Sequence, residues 1–393
     1  MAWTSPKTWA ADELLTASDL NQYVSDNASA LYALIQGQVS GRKNLLDNGK
    51  MQVAQRSTSV TTITTSSYNT ADRWYALLNA LGTWTQSVEN DAPTGSGFRK
   101  SLKMLASTAD ASPAAGDYAR VTQLIEGQNL QAIKKGTTSG EQVTLSFWTK
   151  SNKTGTYVVS LYDADNTRSV SKTYTVASSA TWEQQSVTFP ADLTGAFDND
   201  NAASLYVNFW LASGTDFTSG TLGTTWASYT AANTAVGQAN LAASINNYWQ
   251  VTGVQLEIGD TATGFEHLPY GDELATCQRY YYQHISGNNQ VVGNGFYHDS
   301  ADPSTGLYYT VTFPVTMRAA PVLVAVDGTN YWQASVGALG DTFNAAGTIS
   351  TWNGLNCCQL YASSGVSAAG SYGRACIVQS YNAAARLGFS ADL

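Results

Sequence analysis

The sequence predicts a mainly β protein: a short N-terminal helix, a jelly-roll β-sandwich, then a smaller C-terminal β-sandwich. Two observations carry that prediction. Apolar and polar residues alternate over many short runs separated by Gly, Asn and Asp turn clusters, and a helical period occurs convincingly only near the N-terminus. Charge is also scarce. Only 12% of the 393 residues are Asp, Glu, Lys or Arg, against about 25% in an ordinary globular chain. Thr, Ser, Asn, Ala, Gly and Tyr fill the gap, a palette suited to strands with hydroxyl-rich outer faces.

The helix belongs to a first segment, residues 1–43. "TASDLNQYVSDNASALYALIQG" opens on a Thr16 or Ser18 cap signal and closes at Gly37. Leu20, Val24, Asn27, Leu31 and Leu34 follow a four-three-four-three spacing, a short heptad seam with Asn at one core position. About two heptads do not hold a helix in water alone, so the seam needs partner chains or a host surface. An Asn in such a seam fixes register and strand number. A parallel oligomer is the favoured reading; a single amphipathic helix lying on its own domain is the other.

Residues 44–270 form the predicted jelly roll. Its strand-like runs are "ADRWYALL", "GTWTQSVEN", "EQVTLSFWTKS", "TGTYVVSLYDA", "TWEQQSVTFPA", "ASLYVNFWLAS" and "YWQVTGVQLEIG". Period two puts Leu145 and Phe147 on one inward face, Leu205, Val207, Phe209 and Leu211 on another, and Val254, Leu256 and Ile258 on a third. "TTWASYTAANTAVGQANLAAS" is a long polar excursion, either a surface loop with a task or a disordered insertion. Residues 271–393 repeat the style in "GLYYTVTFPV", "APVLVAVDG", "GRACIVQSY" and "ARLGFSADL", with Val311, Phe313, Val322, Val324 and Ile377 as the expected core. Between the two units, "FEHLPYGDELATCQRYYYQ" reads as a junction. Its Pro and Gly stop a strand, a turn of helix follows, and Tyr280, Tyr281 and Tyr282 brace either the joint or a neighbouring protomer.

Composition excludes several functions. A formal charge of −9 argues against nucleic-acid binding, which needs a basic footprint. No apolar run approaches the ~20 residues of a membrane span, and no secretory core opens the chain, so maturation in the cytosol is expected. Cys277, Cys357, Cys358 and Cys376 show no metal-ligand spacing and are expected to be reduced, buried thiols. No cofactor or metal is expected. The turns Asp163/Asp165 and Asp198/Asp200 lack the remaining ligands of a calcium loop and read as Asx turns. No nucleophile-elbow, phosphate-loop or zinc-protease motif is present. Glu89, Asp91, Glu126, Glu141, Glu183 and Glu257 supply carboxylates, but no local pattern pairs them for glycoside hydrolysis. No catalytic residue is nominated.

The aromatics are more informative. Trp148 shares its strand face with Thr144, Ser146 and Lys150; Trp182 sides with Gln184 and Ser186; Tyr206 and Trp210 flank Asn208. Rings set among hydroxyls and amides suit sugar recognition, where the ring plane stacks on C–H faces and its neighbours bond hydroxyls. The same enrichment marks subunit interfaces and packed sheets, and both readings stay open.

At these residues the chain resembles a bacteriophage tail-fibre-type virion structural protein with a carbohydrate-binding-like jelly-roll module. "AWTSPKTWAADELLTASDLNQYVSDNASAL" is similar to an N-terminal attachment segment of phage minor structural proteins. "NLLDNGKMQVAQRSTS", "TLSFWTKS" and "YWQVTGVQLEIGDTATGFEHLPYGDELATCQRYYYQ" follow the fibre-module pattern, and "FPVTMRAAPVLVAVDG" with "GFSADL" follows its C-terminal unit. The resemblance implies a non-enzymatic homotrimer in the virion. Its N-terminus would bind other virion proteins of tail, neck or capsid, and its β domains would face the host surface and its glycans. A decoration without receptor role and a glycan depolymerase are the alternatives. Sugar-binding relatives often hold a structural calcium, but no comparable acidic ligand set is evident, so none is carried over.

Overall fold

The computed structural model describes residues 14, 16–25, 27–28, 42–297, 306–336, 339–362 and 375–393. The chain divides into two compact units, Met1–Leu45 and Leu46–Leu393. In the first, Ala17–Asp19 forms a helical turn that continues as Leu20–Ser25. Thr16 is the cap. Its Oγ1 accepts from the Asp19 amide at 3.1 Å, while the Asp19 carboxylate accepts from the Thr16 amide and hydroxyl, a reciprocal capping arrangement. Of the predicted seam, Val24 is exposed and Asn27 buried. Only the backbone of Leu20 is described, and Leu31 and Leu34 lie outside the described residues.

The second unit begins with the jelly roll. Its strands, in chain order, are β1 (Ser59–Ile63), β2 (Ser67–Tyr68), β3 (Tyr75–Asn79), β4 (Trp84–Glu89), β5 (Ser101–Ala106), β6 (Tyr118–Glu126), β7 (Val143–Ser151), β8 (Gly155–Asp163), β9 (Arg168–Val176), β10 (Glu183–Phe189), β11 (Ala203–Ser213), β12 (Ala227–Ser228) and β13 (Tyr248–Ile258). They make a six-stranded front sheet, β1-β4-β5-β13-β7-β10, and a seven-stranded back sheet, β12-β9-β8-β11-β6-β3-β2. Every pairing is antiparallel. Inward residues of the two sheets meet edge to face, with Phe147 5.1 Å from Phe209 and 5.0 Å from Tyr174. Trp74, Trp84 and Trp249 are fully enclosed, and each such burial contributes on the order of 2–3 kcal/mol. The alternation read from the sequence sets these faces, except at Ile258, which ends its strand exposed. β13 carries a bulge between Thr252 and Gln255, where Gly253 has φ +62° and faces the Phe98 ring. A Cβ there would lie 2.5 Å from that ring.

A helix, α1 (Tyr270–Gln278), joins the jelly roll to the distal strands β14 (Tyr281–Ser286), β15 (Val291–Tyr297), β16 (Leu307–Thr312), β17 (Val322–Val326), β18 (Trp332–Val336), β19 (Leu339–Phe343), β20 (Thr348–Asn353), β21 (Cys357–Ala362), β22 (Ala375–Ser380) and β23 (Arg386–Ser390). A three-stranded sheet, β14-β23-β17, shares one core with a seven-stranded sheet, β19-β18-β22-β15-β16-β21-β20. The protein is therefore mainly β.

Part of the expected distal core needs correction. Val311 and Phe313 are buried, but Val322 is 64% exposed, and Val324 and Ile377 are exposed too. The parity was misassigned: Leu323 and Ala325 of β17 pack on the core, as do Cys376 and Val378 of β22. Both are short apolar runs in which neither phase of the alternation is polar, so period alone does not choose the inner face. Cys357 also departs from expectation, being exposed, whereas Cys277, Cys358 and Cys376 are buried; all four are free thiols.

Candidate functional site

The joint is the first place where predicted residues converge. Tyr280 and Tyr281 are buried. Arg73 lies 3.4 Å from the Tyr280 ring centre and Arg56 3.5 Å from that of Tyr281, so two jelly-roll cations stack on the two rings. Tyr280 donates its hydroxyl to Glu126 at 2.5 Å, and Arg279 grips the same carboxylate through Nε (2.9 Å) and Nη2 (2.7 Å). Burial raises the Glu126 pKa, but these donors outweigh it and hold the group below the usual carboxylate range. Tyr282 turns the other way, onto Phe313 and Phe389 of the distal core. On the other side of α1, the buried Glu273 accepts from the Asn48 amide at 2.5 Å, and Gln55 donates to the Tyr281 carbonyl at 2.6 Å. The stretches "NLLDNGKMQVAQ" and "DELATCQRYYYQ" thus pack against each other.

The four aromatics do not converge. Trp148 and Trp182 lie on the outer face of the front sheet, Tyr206 and Trp210 on that of the back sheet. Trp182 donates Nε1 to Asp91 at 3.2 Å beside Lys150, which pairs with Asp91 at 2.6 Å. Trp148 lines a hollow of about 240 Å³ with Gln184, Phe265 and His267. Trp210 is on the predicted outer face of its strand and 0% exposed. The polar excursion after β11 folds over it. Phe217 packs 5.3 Å from its ring, and Val158, Ala235 and Leu222 complete a small cluster. Ser171 donates to the Gly223 carbonyl, Tyr229 to that of Thr167 and Ala239 to that of Thr156, pinning the excursion along β8 and β9 as an ordered surface loop.

That loop walls a cleft of about 230 Å³ on the back sheet, lined by Arg120, Ser160, Tyr162, Ser169, Tyr206, Asn208, Trp210, Tyr229 and Thr234. The floor follows from register. Asn208 of β11 lies between Thr122 of β6 and Ser160 of β8, and Trp210 stands beside Arg120. Tyr162 meets Tyr206 and Tyr229 edge to face at 5.6 and 5.2 Å. Trp210 donates Nε1 to Ser160 at 2.9 Å, and Asn208 accepts from Thr122 at 2.9 Å. Arg120 lies 4.8 Å from the Trp210 ring centre and 5.0 Å from that of Tyr118. Its Nε is buried without a hydrogen-bond partner. Burial pushes the guanidinium below its usual range, against the opposing pull of the Tyr118, Tyr229 and Tyr206 hydroxyls.

The six carboxylates raised as candidates are all engaged locally. Glu89 accepts from Ser87, Asp91 from Lys150, Glu126 from Arg279, Glu141 from Lys134, Glu183 from the Ala177 and Ser178 amides, and Glu257 from Thr263. Asp200 accepts from the Ala202 amide in an Asx turn. Among the described residues no group of three His, Cys, Asp or Glu is placed to hold a metal ion.

Sequence reading missed Arg120, Tyr162, Ser169 and Tyr229. The signal for the first lay in "YARVTQLIE", where Tyr118, Arg120 and Thr122 alternate with Val121, Gln123 and Ile125.

No protein-family profile and no curated protein matches the chain. Among solved structures, the enzymatically active domain of tailspike protein 4 of bacteriophage CBA120 aligns at 17% identity and TM-score 0.30, over 56% of this chain and 22% of that one. TmCBM61 in complex with β-1,4-galactotriose aligns at 8% identity and TM-score 0.29, over 55% and 99% of the respective chains. The family 11 carbohydrate-binding module of Lic26A-Cel5E of Clostridium thermocellum aligns at 10% and 0.27, over 51% and 99%.

Proposed function

We propose that this chain binds glycan in the back-sheet cleft, as a non-enzymatic, trimeric fibre subunit of a phage virion held to the particle by residues 1–43. One observation carries the binding reading. Three tyrosines and a tryptophan surround polar groups whose hydrogen-bonding capacity the protein leaves unused: the Tyr162, Tyr206 and Tyr229 hydroxyls have no partner among the described residues. Such a mixture stacks on sugar C–H faces and bonds sugar hydroxyls. The lining offers rings, hydroxyls, an amide and a guanidinium, and none of these is the carboxylate that glycoside hydrolysis uses.

The oligomeric part rests on the heptad seam, on the resemblance of the sequence and on the distal surface. Val322, Val324 and Val326 line the outer side of edge strand β17, and Trp352 on neighbouring β20 is 75% exposed. An apolar edge of that kind suits burial against sister copies.

The test is a bacterial-surface glycan array probed with the full chain and with Tyr206→Ala and Tyr229→Ala. Binding by the parent and at least tenfold loss in both variants, with unchanged thermal unfolding, supports the cleft. Silence across the array, or binding untouched by either variant, overturns it. Light scattering of the same material should report a trimer; a monomer at micromolar concentration removes the oligomeric part.

A further inference from the structure

We infer that the saccharide held in the back-sheet cleft is anionic, its carboxylate or phosphate group received by Arg120. This deepens the glycan-binding reading and rests on it. A guanidinium presents five N–H donors in one plane and stays charged in proteins. Among the described residues no acidic side chain pairs with it, and Nε has no hydrogen-bond partner. Three other buried or half-buried arginines of this chain each face a carboxylate, although Arg73, like Arg120, stacks on a ring and leaves one buried nitrogen unbonded. Arg73 is paired to Asp47, Arg168 to Asp192 and Arg279 to Glu126. Arg120 alone of these four has rings in place of a carboxylate. Tyr118 and Trp210 both lie against it, with ring centres 6.4 Å from each other, and neither offers the in-plane acceptor that Nε lacks.

The surroundings suit an incoming anion. Tyr206 and Tyr229 approach Arg120 closely enough to interact with its charge, and their hydroxyls are donors, as is the Asn208 amide nitrogen, left over once the Asn208 oxygen accepts from Thr122. With a formal charge of −9, the chain does not attract polyanions in general, so an acidic glycan needs a dedicated cation, and the cleft holds one. Planar forked pairing with a carboxylate or phosphate is the contact a guanidinium makes best.

The experiment prints capsule and lipopolysaccharide oligosaccharides in three forms: native, carboxyl-reduced and dephosphorylated. The full-length parent, Arg120→Gln and Arg120→Lys are applied to each. Expected is binding to native acidic glycans that falls about 10- to 100-fold when the anion is removed. Loss on carboxyl reduction assigns a carboxylate, and loss on dephosphorylation assigns a phosphate. Arg120→Gln should lose binding to the native form by the same factor and gain nothing from removal of the anion, while Arg120→Lys should retain an intermediate share. Because the comparison between ligand forms uses the unaltered protein, it stands even if a variant folds poorly. Equal binding to native and anion-free forms overturns the inference and leaves glycan binding intact. Absence of binding to every form overturns both.

Discussion

Replacing Lys135 should be among the costliest single changes in this chain. Its ammonium is enclosed by four oxygens: Asp163 Oδ2 at 2.5 Å, Asp192 Oδ2 at 3.1 Å, and the carbonyls of Thr194 at 3.0 Å and Gly195 at 2.6 Å. The lysine and both acids are almost wholly inside, the Asp163 side chain at 0% exposure. Lys135→Met keeps the length of the stem and removes the charge. Asp192 retains its forked pairing with Arg168, but Asp163 keeps only Asn166. Breaking a buried pair from one side costs about 3–5 kcal/mol. At ~2 °C per kcal/mol for a unit of this size, the melting temperature should fall by roughly 6–10 °C. Urea unfolding followed by tryptophan fluorescence measures the difference directly. A Lys135→Met protein within about 1 kcal/mol of the parent would refute the reasoning, since a charge this enclosed cannot be lost so lightly. A second arm sharpens it. Two carboxylates and two carbonyls are also the donor set of a hard divalent cation, so Lys135→Ser should open a vacancy that millimolar Ca²⁺ fills. Tenfold excess over the dissociation constant would return about 1.4 kcal/mol. Calcium stabilising the parent equally would show that it acts elsewhere.

Three further outcomes are expected. Asp72 is buried, and desolvation raises its pKa from 3.8 to about 6 despite hydrogen bonds from Gln55. The contribution of such a group is full below the unfolded pKa and is lost as pH rises through the folded one. Asp72→Asn should therefore gain on the parent by about 3 kcal/mol between pH 3.5 and 7.5 in paired urea titrations, and a pH-independent difference would contradict this. Gly253→Ala places a Cβ 2.5 Å from the Phe98 ring at φ +62°, so a loss of about 2–4 kcal/mol should appear in the same assay; a change under 0.5 kcal/mol would mean the bulge relaxes freely. Glu126→Gln leaves Arg279 without its acid and should loosen the joint by roughly 2–4 kcal/mol, read as faster proteolytic cleavage between residues 259 and 270. Unchanged cleavage would show that the joint does not depend on that carboxylate.

Much of the architecture was legible because a two-sided strand writes its burial into alternate residues. "LYVNFWLAS" and "TLSFWTK" placed Phe209 and Phe147 inside, and there they meet. The tyrosine run was legible as a joint because a Pro-Gly stop and a helix preceded it. What stayed hidden has physical causes. β6 buries Gln123 on its inward face and Thr122 and Glu126 on its outward one, so burial along this strand does not follow polarity, and Arg120 went unnoticed with it. Trp210 was placed on the correct face, but its cover comes from an excursion whose fold depends on hydrogen bonds to β8 and β9, which no local period encodes. Val322 and Val324 sit on an edge strand where both phases are apolar.

The missed strand is also the one that ties the site to the rest of the unit. Arg120 and Glu126 lie on β6 six residues apart, so alternation projects both to the same side, about 20 Å from each other. At one end Arg120 stacks on Trp210 in the cleft; at the other Glu126 takes Arg279 and Tyr280 from the joint. β6 is an interior strand of the back sheet, bonded to β11 along its length and to β3 over Tyr118–Thr122. Packed against the rest of the sandwich, such a strand shifts little along its length. The joint therefore fixes the distal sandwich to the same strand that carries the cleft arginine, and the ligand proposed for Arg120 would sit in a defined position relative to the distal β unit.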